Sequence, residues 1–295
     1  MVWVDCSAHL KGANQHRVAV LLAVLATVSI GIAEFVAAGA TKRTRSNEVT
    51  ASMFASGVIL TVILAVAWPG NPTDRDLVFG FLAGLANGTA ILLIYAAYSR
   101  GSLRSAAPAA AVVMSAVPVL WDVVVAGSQP STLTWTGIVL GVVAIALTSY
   151  QPGDPDDDRL SLPIAIVAGV VFGALFIFLG EIEDGAGGTP ILVQRAVGFA
   201  IAAAVARATG PRVFPADRSD RRMSFSVGLF ATAALVLIIL ALQVGGSLAV
   251  VSVISSQYAA VAVLLGVLLR GQRTWWWQTV GLVAASVAVA AITIG

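Results

Sequence analysis

Ten runs of about twenty mostly apolar residues constrain this chain more than any other feature. They fall at roughly 18–40, 49–68, 76–98, 103–125, 131–150, 162–181, 189–208, 223–243, 247–269 and 274–294. A run of that length matches the hydrocarbon thickness of a bilayer when it is helical. Lipid offers no partner for backbone N–H and C=O groups, so such runs must be helices, and the strands of a membrane barrel would be half as long and alternate in polarity. With 58% apolar and 11% charged residues, the composition leaves the range of soluble domains. The expectation is an all-α polytopic membrane protein, placed in the cell membrane with the lipid bilayer as its partner.

The same numbers exclude several functions. Net charge is +2, and no basic cluster with interleaved aromatics suggests nucleic-acid binding. Cys6 is the only cysteine, so neither an internal disulfide nor a thiolate metal site is expected. The two histidines, His9 and His16, precede the first span, which removes a metal-binding HExxH helix and His-based catalysis within the bundle. Asp154, Asp156, Asp157 and Asp158 lie in a Pro-, Gly- and Asp-rich stretch that reads as a solvated linker. No metal, no cofactor and no enzymatic activity are expected.

That stretch, 151–161, divides the spans five and five. "IYAAYSRGSL" at 94–103 pairs with "ILALQVGGSL" at 239–248, and "SQPSTLTWTG" at 128–137 pairs with "QRTWWWQTVG" at 272–281, at nearly one offset. An internal repeat of five spans must run upside down in its second copy, the inverted layout of many secondary transporters. The expected organisation is an extension over 1–17, a first five-helix repeat over 18–150, the acidic linker over 151–161 and a second repeat over 162–295. Glycines at four-residue spacing, Gly80–Gly84–Gly88, Gly137–Gly141 and Gly169–Gly173, are expected to let helices pack closely.

"GIAEF" in the first span, "YAAYSRGSLRSAAP" at the junction of the third and fourth, "GSQPSTLTWTG" before the fifth and "GQRTWWWQTVG" before the tenth together resemble the EamA-type members of the drug/metabolite transporter superfamily. The resemblance covers the chain from about residue 20 to its end. It implies ten helices as two pseudo-symmetric halves around a central cavity, carrying small organic metabolites by alternating access, often as exporters. Where the family usually has Gly-Glu before the fifth and tenth spans, this chain has Ser128 and Gln272. In its ninth span Tyr258 is followed by Ala259 rather than proline. Most Lys and Arg residues, from Lys42 and Arg43 to Arg270 and Arg273, sit on odd-numbered connections. The positive-inside rule places those in the cytoplasm, whereas the resemblance implies cytoplasmic termini; orientation stays open.

Ionisable groups within spans are functional-site hypotheses by default. Glu34 lies six residues from the end of its span, about 9 Å below the surface at 1.5 Å per residue. It shares a face with Ala23, Thr27, Gly31 and Ala38, opposite Leu21, Leu25, Val28, Ile32 and Val36, so it should point into the bundle. A carboxylate there can exchange a proton, which makes protons a coupling ion for transport. The alternative is an acid that only cements packing through a hydrogen bond. Arg195 enters from the other end of its span, too far along the membrane normal for an ion pair with Glu34. It is expected to snorkel toward Glu181, Glu183 and Asp184, with anionic-substrate binding as the other reading. Asn87, Tyr95, Gln257 and Tyr258 could orient a substrate in an apolar cavity. Asp122, Tyr98, Trp275, Trp276 and Trp277 read as interfacial residues. A non-transporting scaffold of the same fold is the competing function, distinguishable because its cavity could be filled with bulky side chains.

Overall fold

The computed structural model describes residues 3–101, 103–125, 131–149, 159–183, 185–246, 248–271 and 275–294. The described chain is helical: α1 (Trp3–Ala40), α2 (Ser46–Ala67), α3 (Asp74–Arg100), α4 (Leu103–Val125), α5 (Thr132–Ser149), α6 (Ser161–Gly180), α7 (Thr189–Thr209), α8 (Arg218–Gln243), α9 (Leu248–Ser256), α10 (Tyr258–Arg270) and α11 (Trp276–Ile294). Among the described residues, eight helices are long and apolar enough to cross a membrane. Several sequence readings fall outside the description: the acidic run Asp154–Asp158, Ser128, Gln272, Asp184 and the side chain of Asp122.

The expected span at 247–269 is present as one apolar stretch, Val250–Arg270, with a one-residue interruption of the helix at Gln257. At Gln257 the turn tightens, and its N–H reaches the Ile254 carbonyl at 3.1 Å. Thr27 of α1 donates its hydroxyl to that same carbonyl at 2.8 Å, so a side chain from a neighbouring helix supports the break.

Helix packing follows the glycine stripes. Gly80, Gly84 and Gly88 of α3 face Pro190, Gln194, Val197 and Gly198 of α7, and Gly169 and Gly173 of α6 face Ala110, Val113 and Val117 of α4. A Cβ built on Gly84 would lie 2.8 Å from the Gln194 carbonyl. Beyond these seams, α1 packs on α8 and α10, α2 on α7 and α8, α3 and α4 on α6, and α5 on α11. The outward faces are apolar, with Val66 80% and Leu268 69% exposed, as lipid-facing positions must be.

The connections lock together at the bundle ends. At one end Arg45 donates to the Thr209 carbonyl at 3.3 Å, and Asn47 donates to the Thr209 hydroxyl. At the other, Thr73 and Asp76 form a capping box at the start of α3, and the second Asp76 carboxylate oxygen accepts the Glu183 N–H at 2.8 Å. Arg75 pairs with Glu181 and approaches Glu183 at 3.9 Å. Asn71 N–H donates to the Gly185 carbonyl and Gly188 N–H to the Trp68 carbonyl. Gly187, at φ +70°, passes this contact against Gly70, where a side chain would meet both strain and backbone.

Gly84→Ala is expected to destabilise the protein by about 1–3 kcal/mol through overpacking against α7, lowering its melting temperature in nanodiscs, while Val66→Ala on the lipid face leaves it unchanged.

Candidate functional site

Eight helices, α1 to α4, α6 to α8 and α10, converge on one cavity with about 620 Å³ of empty space counted out to its mouth. Its walls are apolar: Ile30 and Ala33 from α1, Met53 from α2, Ile91 from α3, Met114 from α4, Phe172 and Phe176 from α6, Leu235 and Ile238 from α8. Its polar groups are few: Glu34, Asn87, Arg195 and Tyr258.

Glu34 reaches this space because α1 is sided. Ala23, Thr27, Gly31 and Ala38 are buried with it, while Leu21, Leu25 and Val28 are exposed to the surroundings. The small residues are needed: a Cβ on Gly31 would approach the Tyr258 carbonyl to 3.1 Å, so α10 lies directly against this face. Glu34 itself is 5% exposed, and its Oε2 has no hydrogen-bond partner among the described residues.

Three tyrosines surround the acid. The Tyr98 hydroxyl interacts with Glu34 but is not within hydrogen-bond geometry, and it too lacks a partner. Tyr98 stacks on Tyr95 with ring centroids 5.9 Å apart, and Tyr95 donates to the Met53 sulfur at 3.4 Å. Tyr258 approaches the Ala107 carbonyl at 3.5 Å. Tyr98 is therefore no interfacial anchor as its position near a helix end suggested: it is 1% exposed. The end of α3 is covered by α6, where Ser161 donates to the Ala97 carbonyl at 3.0 Å. Trp275 and Trp276, read the same way, are exposed.

Arg195 also departs from expectation. It does not snorkel toward Glu181 and Glu183, because Arg75 occupies those carboxylates. It turns inward and is 2% exposed. Its Nη2 donates to the Ala231 carbonyl at 2.7 Å, and its guanidinium lies 5.6 Å from the Phe54 ring centroid, a cation–π distance. Arg195 and Glu34 line the same cavity, and no ion pair joins them among the described residues.

The remaining sequence-derived residues divide. Asn87 and Tyr258 line the cavity; Tyr95 is 0% exposed and packs behind it. Gln257 sits at the α9–α10 break in a separate small gap, where its Oε1 accepts from Ser286 of α11 at 3.0 Å. Sequence reasoning missed Tyr98 as a neighbour of Glu34 and missed Thr232 beside Arg195, whose hydroxyl is buried without a partner. No group of three or more metal-ligating side chains occurs among the described residues.

Comparison with known proteins places this geometry. Residues 17–150 match the EamA-like transporter family, in agreement with the motif resemblance read from the sequence. A protein solved by crystallography superposes with a TM-score of 0.68 at 15% identity, covering 96% of this chain and 97% of that one. At such identity the likeness shows a shared fold. No curated protein matches the sequence.

If the Tyr98 hydroxyl and the Glu34 carboxyl support one another, Tyr98→Phe and Glu34→Gln will not add. Their double-mutant cycle, read from melting of the purified protein, is expected to give a coupling of about 0.5–3 kcal/mol; additivity would show that the two groups act independently.

Proposed function

We propose that this EamA-type, multi-pass membrane protein is a secondary transporter of a small organic metabolite, working by alternating access with protons as the coupling ion. The observation that carries the reading is the cavity. A cavity lined by apolar walls and a few polar groups is kept open at the convergence of eight helices, in a bundle where glycine seams close other helix contacts tightly. A scaffold has no need of such a space, and bulky side chains would fill it at a gain in packing.

The packing supports a two-fold inverted arrangement of ten spans, with α9 and α10 counted as one. Exchange each span of the first half with its counterpart five spans later. The α1–α8 contact then becomes α6–α3, the α4–α6 contact becomes the contact of α9 and α10 with α1, and α3–α7 becomes α8–α2. The α2–α7 and α5–α11 contacts map onto themselves. Every one of these pairs is present, which is the pattern of two halves related by an axis in the membrane plane. In such folds the substrate site lies where the halves meet, and rocking of one half against the other exposes it to each side in turn.

In this reading Glu34 carries the coupling proton. It is enclosed, and among the described residues no ion pair reaches it and its Oε2 has no hydrogen-bond partner. A carboxyl in that setting changes protonation when rearrangement admits or expels water. Asn87 and Tyr258 offer neutral hydrogen-bonding groups to the substrate within the apolar walls. Export is the direction the family resemblance suggests.

Two substitutions test this in proteoliposomes under an imposed pH gradient. Ala234→Trp, placed on the cavity wall, is expected to reduce substrate flux by about tenfold or more, a loss of at least about 1.4 kcal/mol. Glu34→Gln is expected to fold and to abolish the acceleration of flux by the gradient. Gradient-dependent flux that survives Glu34→Gln unchanged would remove Glu34 from the coupling.

A further inference from the structure

We infer that the substrate is an organic anion, a carboxylate or phosphate ester on an apolar body, and that Arg195 holds its charged group; the inference rests on the cavity being a transport site. Arg195 is the largest fully buried side chain of the described residues. A guanidinium carries five N–H donors, and among the described residues it makes a hydrogen bond from Nη2 to the Ala231 carbonyl. Its Nε is buried with no acceptor.

No carboxylate answers this charge among the described residues. The acids near it in sequence, Glu181 and Glu183, are held by Arg75, and Glu34 is not paired with it. An unpaired cation removed from water is costly. The Phe54 ring offsets part of that cost, and a carbonyl offsets part, but neither supplies a negative charge. A protein that keeps such a group facing a cavity gains most from a ligand that brings the missing charge in with it, because the planar fork binds carboxylate and phosphate oxygens in pairs.

The surroundings of Arg195 are shaped in the same sense. Across from it α2 presents Gly57, where a Cβ would lie 3.1 Å from the Arg195 Cδ, 3.4 Å from its Nε and 2.9 Å from the Thr232 hydroxyl oxygen. The Thr232 hydroxyl is 0% exposed and has no partner. The bare glycine leaves the Arg195 stem room to pass between α2 and α8, and among the described residues the Nε and the Thr232 hydroxyl beside it have no acceptor of their own. The rest of the cavity, with Met53, Met114, Phe172, Phe176 and Leu235, suits an apolar body and offers no second cation.

The experiment compares matched pairs of probes on the full chain in nanodiscs: phenylacetate, hexanoate and phenyl phosphate against phenylacetamide and hexanamide. At least one anion is expected to raise the melting temperature saturably while its neutral counterpart does not. Arg195→Lys should weaken that binding by about tenfold, since it keeps charge and loses the fork, and Arg195→Gln should abolish it. Amides that stabilise as well as the anions, anions that do not stabilise at all, or an Arg195→Lys variant with wild-type affinity would each overturn the assignment. Should Arg195→Gln fail to melt cooperatively, the probe pairs on the wild type and the lysine variant decide. Anion-selective, Arg195-dependent binding without flux in proteoliposomes would uphold the anion site and defeat the transport reading. Flux of solutes without preference for anions would do the reverse.

Discussion

A carboxyl and a guanidinium can stand within a hydrocarbon layer only if protein, rather than lipid, surrounds them. That requirement organises the molecule. Glu34 and Arg195 are both nearly inaccessible, and each owes its position to close helix approaches made where side chains are missing. Gly31 lets α10 lie against the Glu34 face of α1, and Gly57 leaves room beside the stem of Arg195. In a bilayer no hydrophobic effect draws helices together, so packing of this kind must hold the bundle closed. The seams that exclude lipid are also what permit an unfilled cavity between them: contact surface lost around the space is made up where α3 meets α7 and α4 meets α6.

The helical architecture was legible because a single physical fact, the absence of hydrogen-bond partners in lipid, turns apolar run length into secondary structure. The direction of Glu34 was legible for a related reason: small residues on one face of α1 and bulky ones on the other leave one orientation that satisfies both lipid and packing. Readings that depended on a second helix fared differently. Tyr98 lies two residues from the end of α3, where aromatics often anchor at the interface, yet α6 covers that end and Tyr98 turns inward to Glu34. Nothing local in "YAAYSRGS" distinguishes the two outcomes.

Arg195 shows the same limit from the opposite side. Its sequence neighbours offered Glu181 and Glu183 as obvious partners, but Arg75, more than a hundred positions earlier, competes for them. Among the described residues no carboxylate pairs with the arginine, which turns inward to the Phe54 ring and the Ala231 carbonyl. Gln257 was read as a substrate contact and is found instead at a helix break. Its amide accepts from α11 while Thr27 supports the Ile254 carbonyl beside it. A break of this kind is costly in lipid unless neighbours answer the freed backbone groups, and here the α1 side chain that does so shares a face with Glu34.

That shared face has a mechanical consequence. Thr27, Gly31 and Glu34 occupy successive turns of one stripe on α1, and they meet, in order, the α9–α10 break, the start of α10 and the tyrosine cluster. A change in the charge of Glu34 alters its interaction with Tyr98 and Tyr258 at one end of the stripe. Tyr258 is the first residue of α10 and directly follows the break. On the proposed reading of Glu34 as the coupling group, protonation and helix geometry would be joined through adjacent residues rather than through a long chain of contacts. Arg195 reaches the same cavity from α7, and its partners there are instead the Ala231 carbonyl and the Phe54 ring. The cavity thereby keeps its acidic group and its cationic group on different helices, and no ion pair joins them among the described residues.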